Sequence, residues 1–84
     1  MSKPAQDELE TALRAAGSAH HDYEQTTLAG KRDVQWAGFY AAYTLGRVGD
    51  FTASSNLSQW LQEAPGGGHW AATAASSVIS RLSD

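Results

Sequence analysis

From Asp33 to Val48 the chain reads Asp-Val-Gln-Trp-Ala-Gly-Phe-Tyr-Ala-Ala-Tyr-Thr-Leu-Gly-Arg-Val, and no other stretch constrains the fold as strongly. Trp36, Phe39, Tyr40 and Tyr43 recur at intervals of three and four residues. On a helix they share one face, with Val48 near its end. Ala37, Ala41 and Leu45 make the adjoining side apolar as well. A helix that is apolar most of the way round needs neighbours on most of its sides. The sequence therefore predicts a central aromatic helix over residues 33–48 with other helices laid against it.

Three further segments carry helical periodicity. The first begins near Pro4, a residue suited to an early helical position, and runs past Tyr23. Leu9, Leu13, Ala16, His20, Tyr23 and Thr27 form one continuous seam along it, and Asp7, Glu8 and Glu10 crowd the end where negative charge suits the helix dipole. Gly17 interrupts this helix, as a close approach by a neighbour or a bend would require. Gly30 stops the helix, and Asp33 has the side chain to cap the aromatic helix that follows, which ends at Gly46 or Gly49. Thr52, Ser54 and Ser55 offer three caps for a third helix carrying Leu57, Trp60, Leu61 and Ala64, which Pro65 terminates. After the flexible joint Gly66-Gly67-Gly68, a last helix over residues 69–82 gathers Trp70, Ala71, Ala74, Ala75, Val78, Ile79 and Leu82 on one broad face. The fold class is all-α: a compact four-helix bundle or array in a single domain, residues 1–84.

Length and charge limit what such a bundle does. A chain of 84 residues buries only about 60% of its unfolded surface, and without cysteine it has no disulfide to supplement its core. Six Lys and Arg against nine Asp and Glu leave a net charge of −3, and the bases are scattered. Nucleic-acid binding needs a concentrated basic face, so it is rejected. There is no apolar leader and no long apolar run, so the expectation is a cytoplasmic protein with no membrane partner.

The polar residues with chemical potential cluster at His20-His21-Asp22-Tyr23-Glu24. His20 and Glu24 share a helix face, and Asp33 approaches them if the chain folds back after Gly30. Imidazole plus carboxylate is a metal-binding combination, but a zinc site takes three or four protein ligands and only two share this face. No metal and no cofactor are expected. The same group could shuttle a proton, yet the chain has no cysteine nucleophile and no serine in an elbow context. Gly66-Gly67-Gly68 lacks the lysine and the preceding strand of a phosphate loop and reads as a linker.

The pattern His20-x-x-Tyr23-Glu24, then Asp33-x-x-Trp36-x-x-Phe39-Tyr40-Ala41-Ala42-Tyr43, resembles one found in small, uncharacterised bacterial all-helical proteins. It covers roughly the first half of the chain and brings no activity with it. The resemblance implies that His20, Tyr23, Glu24, Asp33 and Trp36 belong together, lining one polar notch between the first two helices. Beyond that notch, Trp60 and Trp70 are candidates for a partner surface, because tryptophan dominates interface hot spots. The expected function is non-enzymatic: an interaction protein that forms a homodimer or binds another protein. Two alternatives stand beside it. One is a small enzyme or metal-dependent subunit with a polar site at His20, Tyr23, Glu24 and Asp33. The other is a carrier or sensor of a small apolar ligand held among the aromatics.

Overall fold

A computed structural model of the chain describes residues 3–30, 35–66 and 68–83. The four expected helices are α1 (Gln6–Thr26), α2 (Trp36–Val48), α3 (Ser54–Glu63) and α4 (Trp70–Ser83), and no described residue lies in a strand. None of the described helices is long and apolar enough to cross a membrane.

Helix ends follow local chemistry, though not always the residues the sequence pointed to. Pro4 precedes the N-cap of α1, Ala5, whose backbone N–H donates to the Glu8 carboxylate at 3.3 Å. At the other end Thr27 is the C-cap rather than part of the seam, and its N–H donates to the Tyr23 carbonyl at 2.8 Å. The chain then turns through two left-handed residues, Ala29 (φ 54°) and Gly30 (φ 82°). The capping expected of Asp33 lies outside the described residues; α2 opens at Trp36, with Gln35 as an N-cap that makes no side-chain bond. Of the two candidate glycines, Gly49 takes the cap position of α2 at φ 101°, while Gly46 stays helical. None of Thr52, Ser54 or Ser55 caps α3, whose N-cap is Ala53. Its C-cap Ala64 is extended, as the residue before Pro65 must be.

The helices close a ring. α1 packs on α2 and α4, and α3 packs on the same two helices, while the diagonal pairs make no close backbone approach among the described residues. α2 thus occupies one corner of four, and side chains rather than a helix axis fill the middle. Leu9 and Leu13 of α1, Ala41 and Leu45 of α2, Leu57 and Leu61 of α3, and Ala74, Ala75 and Val78 of α4 form the buried core. Each fully covered leucine contributes about 1.5–3 kcal/mol. α3 and α4 are also tied at one end by Arg81, whose guanidinium lies 2.7 Å from the Glu63 carboxylate.

This core is built from leucine, alanine and valine. Every one of the three tryptophans, three tyrosines and two phenylalanines is only partly buried. The aromatic helix is thus not the central one that its sequence predicted: it is one corner of the ring, and Trp36 stands at its first residue, partly open to solvent. The reason is steric. In so small a ring of helices the interior holds methyl-bearing side chains packed at crystal-like density, and indoles and phenols are pushed to the boundary.

Candidate functional site

α1 and α2 run antiparallel, so the C-terminal half of α1 lies beside the N-terminal half of α2. This places His20, Tyr23 and Glu24 against Phe39 and Tyr40. His20, on the buried seam, is 7% exposed. Its ring meets Phe39 edge-on with centroids 5.0 Å apart, Tyr40 at 5.4 Å and Tyr23 at 6.3 Å. One helical turn on, Glu24 Oε1 lies 4.0 Å from His20 Nδ1, an ion-pair separation too long for a hydrogen bond. Among the described residues no group of three or more His, Cys, Asp or Glu is placed to hold a metal ion.

Two ring systems radiate from this point. Outward, Tyr23 stacks on Phe39 at 5.2 Å, and Phe39 on Tyr43 at 6.4 Å with planes 13° apart. Inward, Tyr40 meets Trp36 at 5.4 Å and Trp70 at 5.5 Å, and the two indoles meet each other at 5.7 Å, all three edge-to-face. Such edge-to-face pairs contribute about 0.5–1.5 kcal/mol each beyond their burial. Trp70 thereby bridges the diagonal between α4 and α2 that the backbones leave open.

Tyr40 is the electrostatic focus. Burial, and secondly the negative charge of Glu24, raise its pKa above the ordinary tyrosine value. Its hydroxyl reaches over α1 to Gly17: a Cβ at Gly17 would stand 3.1 Å from it. Of the two reasons for a glycine inside α1, a close approach or a bend, the close approach is the one present: the Tyr40 hydroxyl crowds the place a side chain would take.

Of the residues expected in a polar notch, His20, Tyr23 and Glu24 come together. Asp33 lies outside the described residues, and Trp36 is separated from His20 by the Tyr40 ring. The intervening space is filled by Phe39 and Tyr40, which the motif contained but the expected site did not. Their i, i+3 and i+4 spacing from Trp36 and Tyr43 was the available signal. Of the two tryptophans expected on a partner surface, Trp70 is engaged with Trp36 and Tyr40, and Trp60 packs against the core; each is only partly buried.

No protein-family model, curated protein or solved structure matches this chain.

Proposed function

We propose that this chain is a small cytoplasmic interaction protein that acts by associating with itself or with a protein partner, and not by catalysis. The observation that carries the reading is the boundary position of its aromatic residues: all of them are partly exposed, and the enclosed core is built from leucine, alanine and valine. Tyrosine, tryptophan and phenylalanine are the residues enriched in interface cores, where the area they bury supplies binding energy.

The site at His20, Tyr23 and Glu24 lends less support to an enzyme or metal-dependent subunit. A reacting group must come within hydrogen-bond reach of a general base, and here three rings cover the imidazole. A carrier of a small apolar ligand is also less favoured, because the inward rings already pack edge-to-face on one another. Sedimentation equilibrium of the full chain, from micromolar to several hundred micromolar, tests the association reading. The expected result is a mass that rises above the 8.9 kDa monomer with concentration. A constant monomer mass, with no protein partner recovered, would contradict it.

A further inference from the structure

We draw no further inference here: the strongest candidate, the exposed face of α2 formed by Gly38, Ala42 and Gly46, is a stripe of small residues, and nothing in the structure shows what covers it.

Discussion

The hydroxyl of Tyr40 lies 3.1 Å from the point where a Cβ on Gly17 would stand, while its ring carbon Cζ lies 3.8 Å from that point. A glycine inside a helix costs about 1 kcal/mol relative to alanine, so Gly17→Ala would ordinarily stabilise α1. Here the Tyr40 ring is held by His20, Trp36 and Trp70 and has little freedom to retreat. Gly17→Ala alone should be neutral or destabilising. In a Tyr40→Phe background only ordinary contacts remain, and the same change should stabilise by about 1 kcal/mol. Chemical denaturation of the four proteins in this cycle measures the coupling. Additive effects would show that the contact does not govern the choice of glycine.

Tyr40 also sets the alkaline limit of the fold. Burial first, and the Glu24 carboxylate second, favour its neutral form, so its pKa is raised in the folded state. The stabilisation from a raised pKa is complete below the unfolded tyrosine value, about 10, and is lost as pH rises through the folded value. The melting temperature should therefore fall above about pH 10. The fall should be shallower in Tyr40→Phe, and in Glu24→Gln it should be smaller and complete at a lower pH, because the folded pKa is then less raised. Identical alkaline profiles for the wild type and Tyr40→Phe would contradict the assignment.

Thr44 is the converse of a useful buried hydroxyl. It is 0% exposed, and its Oγ1 has no hydrogen-bond partner among the described residues. A buried unsatisfied polar group costs about 1–3 kcal/mol, so Thr44→Val should stabilise the protein by about 1 kcal/mol and raise its melting temperature by several degrees. Calorimetry decides; a lower melting temperature would mean that the hydroxyl is satisfied in solution.

His20 should prove structural. It is covered by Tyr23, Phe39 and Tyr40, so His20→Gln loses those ring contacts and should cost about 1–3 kcal/mol. The change should leave the association constant unchanged, and added Zn²⁺ should leave the melting temperature of the wild type where it was. A variant of full stability that no longer associates, or a melting temperature that rises with stoichiometric Zn²⁺, would move His20 from the scaffold into a functional site.

These expectations show how far the sequence could be read. Periodicity located every helix and most of the core, because Leu9, Leu13, Leu57, Leu61 and Val78 repeat at intervals that leave one buried face. Helix ends were less legible. Asp33, Thr52, Ser54 and Ser55 all have capping chemistry, and of these none of the last three caps, since that depends on a backbone turn periodicity does not encode. The largest difference lies in the aromatics. Spacing groups Trp36, Phe39, Tyr40 and Tyr43 on one side of a helix but does not say whether that side faces a core or its rim. The answer depends on interior volume, a property of all four helices together. The His20–Tyr23–Glu24 cluster was legible from its spacing, whereas its filling by Phe39 and Tyr40 required the angle at which α2 meets α1.

Hydroxyl-radical footprinting across a dilution series tests most directly the claim that the half-buried aromatics serve association. Phe39, Tyr43 or another of the partly exposed rings should become protected as concentration rises. The enclosed Leu9 and Leu57 should keep the same low oxidation rate throughout. Oxidation rates independent of concentration at every aromatic residue would contradict it.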